Sequence, residues 1–511
     1  MSTTTGPQRI GAFRRLLDLV ERVGNAVPHP ATLFVGLSVG LVALSAVLAR
    51  FGVAVTHPGT GEPVAVVNLL SASALRRIAL ELVPNFTGFA PLGPVLVSLF
   101  GLSVAERSGL LGAMVRRVVE VTPARFLTLA VVFAGANAHT AGDVGYVLLL
   151  PLAAAMFHGV GRHPIAGLAA GFAGVSGGFA ANLLLSPTDL VIAGLTQESA
   201  RLVDGAYTVA PTASYWFLAA SVGLVTLVGT VITERIVEPR LGSYRGTVEA
   251  PPTASLTADE RRGLRWAGVV VLALVALVVW GVVPADGFLR DPERPGVLGS
   301  VLVRGLVALL FVFGVLPGVA YGMAAGTIRR DADVYRGMQQ SMESVAGYLV
   351  VVFFIAQFVA ILSWSNVAIV MGVRGAAFLR TLDLGPIPLL VALVLVTAAV
   401  DLILGSAAAK WAMLAPVLVP MLMLLGYSPE LTQTAYRVGD SLTNIITPLA
   451  SNFPLVLMFL QRYDEKAGIG TLTALMLPYS LANLVCWTAM LVAWVWLGWP
   501  TGPGAPLFLS R

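Results

Sequence analysis

The sequence predicts an all-α polytopic membrane protein, and three observations carry that prediction. Of its 511 residues, 57% are hydrophobic and only 12% are charged, whereas ordinary soluble proteins carry about 25% charged residues. Long runs of Leu, Val, Ala and Gly recur at lengths near the roughly 20 residues that a bilayer-spanning helix needs. The basic residues gather in the gaps between those runs, so the net charge of +5 is a topology signal and gives no reason to expect a nucleic-acid partner.

Along the chain, residues 1–30 form a charged amphipathic segment containing GAFRRLLDLVERVGNAV. It lacks the apolar core and small-residue cleavage site of a signal peptide, so an interfacial segment on the cytoplasmic face is expected. Uninterrupted apolar spans are expected at 31–51, 212–233, 264–284, 302–322, 386–404 and 472–498. Arg9, Arg14, Arg15 and Arg22 precede the first span. A mid-chain gap holds Arg235, Arg240, Arg245, Arg261, Arg262 and Arg265, and a later one Arg329, Arg330 and Arg336. Cytoplasmic loops collect Lys and Arg, so all three regions, and the N-terminus, are expected inside. The charge-balanced gap 285–299 falls between two of them and is expected outside. Cys486 is the single cysteine, which excludes an intrachain disulfide.

Other regions are apolar but broken by Gly, Pro, Asn, Ser and Asp: 84–122, 125–195, 342–373 and 405–460. At membrane depth such breaks are tolerated only where backbone is buried in protein or lines a cavity. Two of these regions match at an offset of 265 residues, pairing Tyr146 with Trp411, Pro151 with Pro416, Pro164 with Pro429 and Ser176 with Ser441. Repeats with broken helices in corresponding places point to a secondary transporter whose site lies where the repeats meet. The expected division is therefore a first transmembrane repeat at 31–240, a cytoplasmic loop at 241–263, a second repeat at 264–498 and a short tail at 499–511.

The stretch YRVGDSLTN at 436–444 holds the densest polar cluster. On a helix, Arg437, Asp440 and Asn444 share one face, and a charge within a span costs about 2.5–3.5 kcal/mol on insertion scales. These residues should face a protein interior or a water cavity, either as a structural Arg437–Asp440 pair or as part of a transport site. In SPTDL, Pro187 breaks the helix beside Asp189, which could help coordinate a cation or cap the following helix. In GSAAAKWAM, small residues allow close helix contact beside Lys410 and Trp411, and the indole could stack on an aromatic ligand or anchor at an interface. GFAGVSGG at 171–178 has no preceding strand, so it reads as close helix packing or a broken helix and not as a dinucleotide loop. His139 and Asp143 have a spacing at which a helix could bind metal.

Long segments then resemble one family. GDVGYVLLLPLAAAMFHGVGRHPIAGLAAGFAGVSGGFAANLLL, GLTQESA and GSAAAKWAMLAPVLVPMLMLLGYSPELTQTAYRVGDSLTNIITPL are similar to the AbgT family, the p-aminobenzoyl-glutamate transporters of bacteria. The resemblance implies a homodimer in the bacterial inner membrane, with about nine transmembrane helices, two re-entrant hairpins and inverted repeats containing discontinuous helices. It places the hairpins at about 84–122 and 342–373. It also implies import of p-aminobenzoyl-glutamate or export of sulfonamide antimetabolites, driven by a sodium or proton gradient and without a cofactor. By motif, Trp411, Pro429, Arg437 and Asp440 match pathway positions, and Asp189 matches the first-repeat aspartate. The family usually has Ser where this chain has Ala408, and Asn where it has Asp401.

On this reading Arg437 offers a planar fork to the carboxylates of a small aromatic organic anion, and Trp411 a face for its ring. Asn444 belongs to the same pathway. Asp189, Asp401 and Asp440 would hold Na⁺ or exchange H⁺, aided by carbonyls freed near Pro187 and Pro448. An organic-anion channel, and more remotely a membrane hydrolase using Asp189 and Asp440, are the other classes considered. Neither broken repeats nor any nucleophile–base or metal motif recommends them.

Overall fold

The computed structural model describes residues 28–56, 61–138, 145–246, 248, 256–284, 286–291 and 305–509. His139, Asp143, nearly all of the N-terminal amphipathic segment and most of the 285–299 loop lie outside the described residues. The described chain is almost entirely helical, apart from a small antiparallel pair, β1 (Ala54–Thr56) and β2 (Pro63–Ala65).

The first set of helices comprises α1 (Pro30–Arg50), α2 (Ala72–Leu80), α3 (Leu82–Thr87), α4 (Leu92–Arg107) and α5 (Leu110–Glu120). A first inner set follows, with α6 (Leu127–Ala138), α7 (Leu150–Gly159, entered by a π-turn at Gly145–Leu149), α8 (Pro164–Val175), α9 (Pro187–Ala200) and α10 (Tyr215–Ile232). Beyond the short α11 (Glu238–Leu241), the long helices α12 (Ala258–Val282), α13 (Leu306–Ala325) and α14 (Asp331–Ser365) lead into α15 (Val367–Thr381). A second inner set closes the chain: α16 (Pro386–Asp401), α17 (Ala407–Met423), α18 (Pro429–Thr443), α19 (Phe453–Gln461) and α20 (Ile469–Trp496).

Local chemistry sets these boundaries. Thr257 and Glu260 make a capping box that starts α12. Asp333 accepts the backbone N–H groups of Arg329 and Arg330 at 2.9 and 3.0 Å and so starts α14. Those two bonds hold its carboxyl below the usual carboxylate range. Asn366 adopts φ +60° between α14 and α15, and its amide donates to Ala65 O at 2.9 Å, which holds the reversal against β2. Arg262 donates to Ala324 O, and Arg116 and Arg261 pair with Glu260 and Glu120. These contacts tie the start of α12 to the end of α13 and to α5.

Among the described residues six helices are long and apolar enough to cross a bilayer: α1, α10 extended to Leu241, α12, α13, the 345–365 part of α14, and α20. Two expectations change here. The apolar run 386–404 is no full span, because α16 is 16 residues long and ends at Asp401, giving about 24 Å at 1.5 Å per residue. Its hydrophobicity serves protein burial on α18 as well as lipid. Conversely, 342–373 does not fold as two short halves. Most of it is the end of the 35-residue α14, and the chain reverses only at Asn366. The first expected hairpin, 84–122, contains the bent pair α4 and α5, with an angle of 64° between them. The short apolar helices cluster instead at α6 and α7 and at α16 and α17, inside the repeats.

The repeats are visible in the packing. Pro164 and Pro429 each occupy the first turn of a helix, α8 and α18. Helix α6 lies along α8 as α16 lies along α18. At both crossings a glycine faces a carbonyl: a Cβ on Gly174 would sit 2.5 Å from Val132 O, and one on Gly439 2.5 Å from Val394 O. These two glycines are again 265 residues apart. Elsewhere, Gly314 and Gly318 of α13 press on Gly101 and Ala105 of α4, in the small-xxx-small manner of membrane helix pairs. Gly439→Ala should lower the thermal midpoint of detergent-purified protein, at a cost of about 1–3 kcal/mol from forced separation of α16 and α18. Gly223→Ala, with nothing within 4 Å of the added carbon, should not lower it. Equal midpoints for both variants would contradict the close crossing.

Candidate functional site

Helix α18 is polar yet buried along its whole length, from Pro429 to Thr443. Its start is orderly: Ser428 Oγ accepts the N–H of Leu431 at 3.0 Å, and Pro429 takes the first helical position, where no N–H is needed. Further along, every charged or amide group requires a partner, since an unpaired charge in such surroundings is strongly unfavourable.

Arg437 finds its partner in the other repeat. Its Nη1 donates to Asp189 Oδ1, while the other carboxylate oxygen accepts from Ser186 N at 2.6 Å, Ser186 Oγ at 2.9 Å and Asn182 Nδ2 at 2.8 Å. Asp189 therefore closes the capping box of α9, one of the two roles considered for it, and its other oxygen is taken by Arg437 in a buried ion pair. The structural Arg437–Asp440 pair, one of the two arrangements considered for this stretch, does not form, since each residue pairs with another helix. With Nη1 committed to Asp189, Arg437 is not an open fork for a substrate carboxylate, although Nη2 is buried without a partner.

Asp440 belongs to a second cluster. Lys410, in the first turn of α17, lies between Asp401 Oδ1 and Asp440 Oδ1, the latter at 2.6 Å. All three side chains are 0–3% exposed. Thr443 Oγ1 donates to Asp401 Oδ2 at 2.6 Å, and the Tyr436 hydroxyl lies 2.6 Å from Ala407 O and 3.2 Å from Asp440 Oδ1. Three buried carboxyl groups thus face two buried basic side chains, and with both of its aspartates ionised the Asp401–Lys410–Asp440 cluster would carry one negative charge in excess. The shared Na⁺ expected at Asp189, Asp401 and Asp440 does not fit this arrangement. Asp189 is held apart by Arg437, and an ammonium already stands between the other two. Among the described residues no three His, Cys, Asp or Glu side chains gather as metal ligands.

Trp411 is fully buried and stacks on Tyr436, with ring centroids 4.3 Å apart and planes 27° apart. Its Nε1 donates to Thr196 Oγ1 at 2.8 Å, and that hydroxyl lies 2.7 Å from Gln433 Oε1. The indole ties α9, α17 and α18 together, and its stacking partner is this tyrosine.

Next to these clusters lies a cavity of about 460 Å³ between the broken-helix ends of the two repeats and α4 and α14. Tyr146, Phe172, Phe179, Tyr348 and Phe453 supply aromatic surface, and Ser406, Asn444 and Asn452 supply polar groups. Of the residues expected on a substrate pathway only Asn444 is on its wall. Trp411, Pro429, Arg437 and Asp440 are not on it. Ala408 is also on the wall, so the missing hydroxyl leaves that patch apolar. Sequence reasoning noticed Lys410 but not its sharing between two carboxylates, because Asp401 and Asp440 come from separate helices. It missed Tyr348 altogether, which sits in an apolar stretch without a polar neighbour to mark it.

Comparison with known proteins agrees with this architecture. The family model "AbgT putative transporter family" matches residues 15–509. The p-aminobenzoyl-glutamate transport protein of Escherichia coli (strain K12) is 41% identical over 490 residues, 96% of each chain. The crystal structure of the Alcanivorax borkumensis YdaH transporter matches with a TM-score of 0.88 and 47% identity, covering 93% of this chain and 100% of that one. MtrF of Neisseria gonorrhoeae, described as illuminating a class of antimetabolite efflux pumps, matches with a TM-score of 0.91 and 46% identity over 96% of this chain and 100% of its own.

The charge pattern makes a stability prediction. Lys410→Met leaves two buried carboxylates without their cation and should destabilise the protein by about 3–5 kcal/mol, read as lost folded yield and a lower thermal midpoint. Adding Asp401→Asn and Asp440→Asn to that variant should restore much of the loss. A stable Lys410→Met single variant would mean that the cluster is not charged as drawn.

Proposed function

This chain belongs to the AbgT family of transporters, a multi-pass membrane family, and we propose that it is a secondary carrier for p-aminobenzoyl-glutamate or chemically related aromatic anions, sulfonamide antimetabolites included. It works as a homodimer in the bacterial inner membrane with its N-terminus in the cytoplasm, and an ion gradient drives it. The observation that carries this reading is the Asp401–Lys410–Asp440 cluster, one negative charge in excess, touching an uncharged aromatic cavity through Tyr436 and Ala407.

The physics of coupling follows from that charge. An anion entering the cavity meets the field of the excess carboxylate in surroundings that screen it poorly. A cation taken up by the cluster cancels that field, so ion and anion favour the same state, and unequal binding of the ion to two states is what coupling requires. A proton suits the cluster best. It needs no coordination shell, and Asp401 and Asp440 can share it beside Lys410, whereas Na⁺ would have to displace the ammonium. Asp189 and Arg437 join α9 to α18, and through them the two repeats, so that a change at one broken helix is felt at the other. Homodimer formation is supported by α12, most of whose surface faces away from its own chain. Leu272 and Trp280 on it are 70% and 68% exposed.

The test is flux of labelled p-aminobenzoyl-glutamate and of a sulfonamide in proteoliposomes, with proton and sodium gradients imposed separately. The expected result is flux that follows the proton gradient in either direction. Asp401→Asn, which removes the excess charge, should weaken that dependence at least several-fold while the protein still folds. Flux indifferent to both gradients would remove the carrier reading, and flux that follows sodium alone would remove the proton. Unchanged ion dependence in both Asp401→Asn and Asp440→Asn would take the cluster out of the coupling role.

A further inference from the structure

We infer that the substrate's carboxylate is received by three helix N-termini together with Asn444 and Tyr348 in the aromatic cavity, and that Arg437 does not receive it. The N-terminal turns of α9 (Pro187, Thr188), α17 (Ser406, Ala407) and α19 (Asn452, Phe453) all reach the cavity wall. Positions 187 and 454 are prolines without an N–H, and the Phe453 N–H is bonded to Ala450 O, so the open first-turn donors on this wall are those of Thr188, Ala407 and Ala408; with the positive ends of the helix dipoles they favour an anion. No Asp, Glu, Lys, Arg or His lies on this wall among the described residues. The helix ends are therefore the charge-bearing feature it offers.

Two further observations point to a ligand. Asn444 is 8% exposed, lines the cavity, and its amide has no hydrogen-bond partner among the described residues. The Tyr348 hydroxyl is buried, lines the same cavity and is likewise unpartnered. Buried polar groups are nearly always bonded, and two unpaired groups facing one cavity fit an occupant that accepts from both. A carboxylate has acceptor positions for the amide N–H, the phenol O–H and a helix end at once. Helix α8 meets the cavity by its C-terminal end, at Ser176. Its last-turn carbonyls suit an N–H donor such as an aryl amine. The rings of Phe172, Phe179 and Phe453 can flank the aromatic body between these two ends.

The ligand's identity rests on the carrier reading above, whereas the anion cradle rests on the cavity alone. Binding to full-length protein in nanodiscs is measured with p-aminobenzoyl-glutamate and with its neutral diamide, which keeps the shape and loses the charges. The native protein should favour the anion at least about tenfold. Tyr348→Phe and Asn444→Ala, each checked for an unchanged thermal midpoint, should weaken anion binding about tenfold and move diamide binding less than about twofold. Asn444→Asp should weaken the anion most, by placing a like charge in the cradle. The inference is overturned if the native protein binds neither probe or does not discriminate between them, if anion binding is unchanged in Tyr348→Phe and Asn444→Ala, or if both probes weaken equally. Discrimination that persists where no gradient-driven flux is found would sink the carrier reading and leave the cradle standing.

Discussion

A polar helix buried along its whole length is the constraint around which this protein is built. Helix α18 brings Glu430, Gln433, Arg437 and Asp440 into the interior, where each would be costly alone. Its neighbours are placed so as to answer those groups. Asp189 arrives from α9, Lys410 and Asp401 from the facing ends of α17 and α16, and Ser214, beside the start of α10, meets Gln433 and Thr434. Even the aromatic pair of Trp411 and Tyr436 serves this end, because each ring also carries a hydrogen bond that closes a gap in the polar lattice. The oily exterior solves the bilayer problem and α18 sets the interior one.

The same helix explains why close crossings matter. Gly439 lets α16 approach until its own backbone meets Val394 O, and Thr443, one turn later, then reaches Asp401. The first repeat makes the equivalent crossing with Gly174, where the groups beyond it, Ser176 and Phe179, open onto the cavity. Similar crossings carry different chemistry, with Asp440 of the charged cluster beside Gly439 and the cavity-lining Phe172 and Ser176 beside Gly174. Polar pairs at membrane depth need a dry, tightly packed surround to hold one geometry, and the glycines supply it.

Two departures from the family pattern acquire physical content in this setting. Asp401 turns what would be a balanced Lys410–Asp440 pair into a three-membered cluster with one carboxylate too many. Ala408 removes a hydroxyl from the cavity wall beside Ser406 and leaves that patch apolar. Both changes sit within one turn of the break between α16 and α17, one in the buried charge cluster and the other on the cavity wall.

Membrane class, most of the spans, the paired breaks and the polar density of 436–444 were legible in the chain itself, because apolar run length and the cost of a buried charge are local properties. The prolines at 164 and 429 marked the start of equivalent helices for the same reason. Partnership was not legible. Arg437 and Asp440 stand one turn apart and suggest a pair, yet each binds a residue from another helix, since only the packed structure brings 189, 401 and 410 to them. Nor could composition distinguish 386–404, whose helix stops after 16 residues at Asp401, from 345–365, which runs on as part of a 35-residue helix. The cavity belongs wholly to tertiary structure: its walls come from broken ends of helices hundreds of residues apart, and a helix end acquires its charge only once its backbone is folded and its neighbours have shut out the water.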